Sequence, residues 1–128
     1  MSDPASAPTA RDRKFRQAAI VYLHVGVLYE AAVVALWRAG LVPDRGPVGL
    51  WLLVGALITG GVTWALWRYR SPWVPRAIWA LHALRLPSVI GGAFGLDQTT
   101  TLPRGLWTLA LIAVLINLGF LARAGWDL

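Results

Sequence analysis

The chain alternates between long apolar blocks and short polar links. Apolar residues crowd into four stretches, near 17–37, 48–67, 75–95 and 104–123. At a helical rise of about 1.5 Å per residue, each is long enough to cross a hydrocarbon layer roughly 30 Å thick. The first block is preceded by the basic run "RDRKFR". It exceeds the roughly 7–15 apolar residues of a secretory leader, so it reads as a retained signal-anchor helix.

The links carry helix-stopping chemistry. "RAGLVPDRGP" (38–47) and "RYRSPWVPR" (68–76) hold proline, and the first also holds glycine. "LDQTTTLP" (96–103) offers Thr101 as an N-cap for a helix opening near Pro103. Residues 1–16 read as a disordered basic tail, and "AGWDL" (124–128) as a second short tail. The pattern predicts an all-α membrane protein: four transmembrane helices in an up-down-up-down bundle.

One irregularity falls inside the third block. Pro87 removes one backbone hydrogen bond and crowds the carbonyl of Ala83, four residues earlier. With Gly91 and Gly92 close behind, a kink is expected there. In the second block, Gly55 and Thr59, and Ala56 and Gly60, are small residues spaced by four. Such pairs let two helix backbones approach closely.

Charge orients the bundle. With the N-terminus inside, one side of the membrane holds Arg11, Arg13, Lys14, Arg16, Arg68, Arg70, Arg76 and Arg123. The other side holds only Arg38, Arg45 and Arg104. The positive-inside bias places both termini in the cytoplasm. Trp37, Trp51 and Trp107 then mark the outer boundary, and Trp67, Trp73 and Trp126 the inner one. A bacterial-type cytoplasmic (inner) membrane is the expected location.

Composition agrees. The chain is 57% hydrophobic and 14% charged, against about 25% charged in a soluble domain. The net charge of +6 lies beside the apolar blocks, which points to anionic head groups rather than to nucleic acid. There is no cysteine, which excludes disulfides, thiol chemistry and Cys-ligated metals.

Candidate chemistry lies in the polar residues at membrane depth. Taking block midpoints near 27, 58, 85 and 114, His24, His82 and Asn117 each lie three residues to the inner side, and Thr63 about five. Arg85 lies at the midplane, and Glu30 three residues outward. Ionisable groups at such depth are costly and normally face a partner in the bundle interior. Glu30 and Arg85 are therefore expected to form an interhelical ion pair.

His24 and His82, the two histidines of the chain, share a depth. Two facing imidazoles are the ligand set of a b-type haem in electron transfer, and one suffices for bacteriochlorophyll. Glu30 alone would instead suit a small proton-coupled transporter. Neither an active-site constellation nor a phosphate-binding loop is visible, so an enzyme is the least supported class. The leading expectation is a non-catalytic accessory or structural subunit of a larger membrane complex. Its partners would be the lipid bilayer and other membrane subunits.

Overall fold

The computed structural model describes residues 9–42, 48–97 and 102–128. Over these it is all-helical, with α1 Ala10–Arg38, α2 Val48–Arg68, α3 Trp73–Ala93 and α4 Arg104–Trp126. Thr101, expected as a cap, and Arg45 of the outer charge set lie outside the described residues. Three helices, α1, α2 and α4, are long and apolar enough to cross a membrane. Although α3 is 21 residues long, it is not among them. Arg76, His82, Arg85 and two prolines, Pro75 and Pro87, dilute its apolar content.

Two boundaries differ from the expected ones. Residues 10–16, expected in the disordered tail, form the first turns of α1. Thr9 caps them: its hydroxyl accepts from the Asp12 N–H at 3.1 Å, and the Asp12 carboxylate accepts from the Thr9 N–H at 3.4 Å. This reciprocal capping box satisfies two otherwise orphaned amides. At the other end of the chain, α4 continues through Trp126, so residues 124–126 are helical rather than tail.

Helices α1 and α3 stop in the same way. Gly40 (φ +74°) and Gly95 (φ +69°) adopt the left-handed conformation that side chains resist. The Leu41 N–H then donates to the Leu36 carbonyl at 2.9 Å, and the Leu96 N–H to the Gly91 carbonyl at 2.8 Å. Both are Schellman closures, which reuse carbonyls that the helix end leaves open.

The four helices do not contact one another equally. Helix α1 packs against α2 and α4, and α3 packs chiefly against α4. Helices α2 and α3 barely meet, and α1 and α3 stand diagonally. The dense core lies at one end: Phe15, Ala18, Ala19 and Tyr22 of α1 pack with Leu66 of α2 and with Leu121 and Ala124 of α4. Val74, Ile78 and Trp79 of α3 complete it. Elsewhere large apolar residues such as Leu28, Leu57, Leu84 and Leu115 are exposed. That is the reverse of a water-soluble surface and suits contact with lipid chains.

Basic residues cover the packed end. Arg70 donates to Asp12 at 3.0 Å and to the last carbonyls of α2, those of Leu66 and Trp67. Lys14 pairs with Asp127 at 2.7 Å, Arg123 donates to Gln17, and Arg76 donates to the Gly125 carbonyl. Arg76 also lies over the rings of Trp73 and Trp126. These links tie the start of α1 to the ends of α2 and α4, and the start of α3 to the end of α4.

The cap of α1 is acid-sensitive. The Thr9 backbone N–H, the Thr9 hydroxyl and the Arg70 guanidinium hold the Asp12 carboxyl below its ordinary 3.8, against partial desolvation. A depressed folded-state value means that the unfolded chain binds the proton more readily. The stabilisation is therefore complete above pH 3.8 and lost as pH falls through the lower folded value. We expect amide exchange at residues 10–14 to accelerate on acidification beyond its intrinsic pH dependence. In an Asp12→Asn chain these amides should already be less protected at neutral pH, with no further acid-dependent loss.

Candidate functional site

Away from the packed end, the helices separate around a cavity of about 570 Å³. That volume is typical of small-molecule sites, which are mostly apolar with a few placed polar groups. From α1 it is lined by Tyr22, Val25, Gly26, Tyr29, Glu30 and Val33. Steps of three and four residues keep these on one face of a 3.6-residue helix. From α2 come Trp51, Leu52, Gly55, Ile58 and Thr59, at the same spacing. The α4 wall is Leu106, Ala110, Ala113, Val114 and Asn117, whose two alanines leave room. Helix α3 contributes only His82 and Arg85. With α2 and α3 barely touching, that side of the cavity is open.

The end of the cavity nearest the packed core is closed by polar groups. The Tyr22 hydroxyl lies 3.2 Å from His82 Nε2, and the two rings meet edge-on with centroids 5.4 Å apart. His82 Nδ1 lies 3.0 Å from the Ile78 carbonyl. A carbonyl only accepts, so Nδ1 carries the hydrogen. In the neutral ring Nε2 then accepts, and Tyr22 is the donor. Asn117, in the same cavity lining, is only 7% exposed, and its Oδ1 has no hydrogen-bond partner. A buried acceptor left unpaired marks a place where a further donor belongs.

Glycine seats shape the middle of the cavity. The Glu30 carboxyl group occupies the space that a Cβ on residue 55 would fill. One turn away, Thr59 occupies the corresponding space at Gly26. The pairs 26 with 59 and 30 with 55 follow the register of an antiparallel crossing. The small-residue pair Gly55 and Thr59 is thus a close helix contact. On the other side of the molecule, the Trp107 ring covers Gly92 and brings α3 against α4.

Glu30 and Arg85 share the cavity without forming the expected ion pair. The ion pairs Lys14–Asp127 and Arg70–Asp12 both lie at the basic end, and neither Glu30 nor Arg85 has such a partner among the described residues. The reason is positional. Glu30 is seated on α2, while Arg85 extends from the diagonal helix beside the open side. Arg85 is exposed and lies within electrostatic reach of Tyr22, Tyr29 and His82.

The expected polar layer is divided. His82 and Asn117 line the cavity, but His24 does not. His24 is exposed, and its Nδ1 lies 2.8 Å from the Ile20 carbonyl of its own helix. Two residues along a helix is a turn of about 200°, so His24 faces away from Tyr22. The structure therefore does not assemble His24 and His82 as a facing pair of haem ligands. Thr63 also lies outside the cavity lining, with its buried hydroxyl unpartnered.

Tyr22, Tyr29 and Thr59 do not stand out by depth alone: each is a partly apolar, hydroxyl-bearing residue of a kind common in membrane helices. Their spacing held the signal. Tyr22, Gly26, Tyr29, Glu30 and Val33 fall on one stripe that contains the first block's one carboxylate. Comparison with protein-family models, with curated proteins and with solved structures gave no match.

Proposed function

We propose that this chain is a four-span protein of a bacterial-type cytoplasmic membrane that binds one small amphipathic molecule between its helices. In this reading α3 crosses with the other three, kinked at Pro87. The bundle runs up-down-up-down with both termini in the cytoplasm. The basic end then meets anionic head groups, and the cavity lies in the outer part of the membrane. Ligand enters from the bilayer between α2 and α3.

One observation carries the reading: polar groups from all four helices converge on a single apolar cavity, among them the unpaired Asn117 oxygen. A bundle that served only as filler would gain nothing from an open cavity with Glu30 and Arg85 in its walls. Charged groups at this depth are costly and mark function.

An accessory role has its own support in the open side at α2 and α3, where Arg85 is exposed. There a helix of another subunit, rather than a small molecule, would cover the gap. Photolabelling distinguishes the two readings. A dodecyl-chain amphiphile bearing a diazirine is expected to label residues 48–59 and 106–117, and unlabelled amphiphile should compete. Labelling that is confined to the outer faces and does not saturate would reject the cavity reading. A partner co-purifying and crosslinking at α2 and α3 would favour the subunit.

A further inference from the structure

Two charges of opposite sign face one cavity and do not meet. Glu30 is held on the α1–α2 side by its seat at Gly55. Arg85 projects from α3, which meets α1 through side chains such as Tyr22 and His82 but not through a close backbone approach. The cavity's charged walls therefore sum to zero but form a dipole. We infer, building on the cavity reading above, that the ligand is a zwitterionic amphiphile. Its anionic group lies on Arg85, its ammonium group on Glu30, and its chain leaves through the gap between α2 and α3.

The alternatives each leave a charge stranded. An anionic amphiphile would satisfy Arg85 but face the Glu30 carboxylate. A cationic one would satisfy Glu30 and be repelled by Arg85. An uncharged chain would leave both unpaired in a medium where that is expensive. A zwitterion answers both at once and adds no net charge to the membrane interior. Arg85 presents five donors in a planar fork that suits phosphate or carboxylate. Glu30 offers only acceptors, which suits an ammonium group.

A second, independent feature points to the same kind of molecule. Asn117 is more than nine-tenths buried, lines the cavity and has an unpartnered Oδ1. It accepts one further hydrogen from an N–H or O–H of the ligand. The Tyr22 hydroxyl, also in the cavity wall, already spends its hydrogen on His82, so it too can only accept. The closed end of the cavity thus selects a head group with hydrogens to donate. Phosphoethanolamine lipids and acylated amino acids share this chemistry.

The test uses the whole protein in a non-ionic maltoside detergent and native mass spectrometry with probes of one chain length. These are lauroyl lysophosphatidylethanolamine, O-lauroyl serine, dodecyl phosphate, dodecylammonium and dodecanol. We expect one equivalent of a zwitterion to bind at least tenfold more tightly than the phosphate, the ammonium or the alcohol. Preference between the two zwitterions separates a lipid head group from an amino acid. Arg85→Gln should bring the zwitterion level with dodecylammonium, and Glu30→Gln level with dodecyl phosphate. Arg85→Lys, which keeps the charge, should retain most of the binding and exclude misfolding as the cause.

Single-charge probes binding as tightly as the zwitterions would overturn the inference. So would Gln variants that leave zwitterion affinity unchanged. Dodecanol binding equally well would leave the cavity reading standing and remove the charge assignment. Saturable binding of none of the probes would remove both.

Discussion

Replacing Phe15 by alanine is expected to destabilise the protein by about 3–5 kcal/mol, the range for emptying a buried aromatic site. Phe15 is fully buried within the cluster that joins all four helices. The guanidinium groups of Arg11 and Arg70 each lie 5.7 Å from its ring centroid. Truncation leaves a cavity where α1 meets the ends of α2 and α4, and it removes the surface on which both arginines rest. The same Arg70 binds Asp12 and the end of α2, so the loss should spread along the basic links. Unfolding in mixed detergent micelles measures the effect. Phe94→Ala, at an exposed ring, should change stability by about 0.5 kcal/mol or less.

The second large effect is expected at Gly26. A Cβ there would stand 2.5 Å from Thr59 Cγ2 and 3.2 Å from Thr59 Cβ. The obstacle is a stiff, branched side chain close to the α2 backbone, so the helices must move apart. Gly26→Leu should cost about 1–3 kcal/mol, as overpacking of a close contact does. It should also weaken ligand binding, because the Glu30 seat lies one turn along the same crossing. Pairing Gly26→Ala with Thr59→Ala should recover most of the stability lost in Gly26→Ala alone. Gly60→Ala and Gly61→Ala are the contrast. Nothing lies within 4 Å of a Cβ at either position. Each should be neutral or slightly stabilising through helix propensity.

These two positions show how far the sequence carries. The span of α2 was readable because a block of apolar residues ends in punctuating links. The Gly55–Thr59 contact was readable because small residues recur at four. The start of α1 is hidden in the sequence because "RDRKFR" has the composition of a tail. Its Thr9–Asp12 box and buried Phe15 act through geometry that composition does not register. Helix α3 was harder still. It has the length of a span but carries charges and prolines that lower its apolar content.

At the site, depth placed Glu30, His82, Arg85 and Asn117 near one another, and all four line the cavity. Depth gives position along a helix axis but not direction around it. His24 shares the layer of His82 but stands about 200° around α1 from Tyr22, so it faces away from the cavity. The Glu30–Arg85 ion pair failed for a different reason. It required α1 and α3 to be neighbours, and one sequence by itself does not say which helices touch. Their diagonal placement turns an expected bond into two opposed walls.

Whether the cavity is a binding site is tested most directly by two tryptophan substitutions on α4. Ala113→Trp fills the cavity from its α4 wall. Leu115→Trp places the same bulk on an exposed position two residues on. In the diazirine-amphiphile assay, Ala113→Trp should abolish the competable labelling of residues 48–59 and 106–117, while Leu115→Trp should leave it at the unsubstituted level. Competable labelling that survives Ala113→Trp in a chain of unchanged helicity would contradict the account.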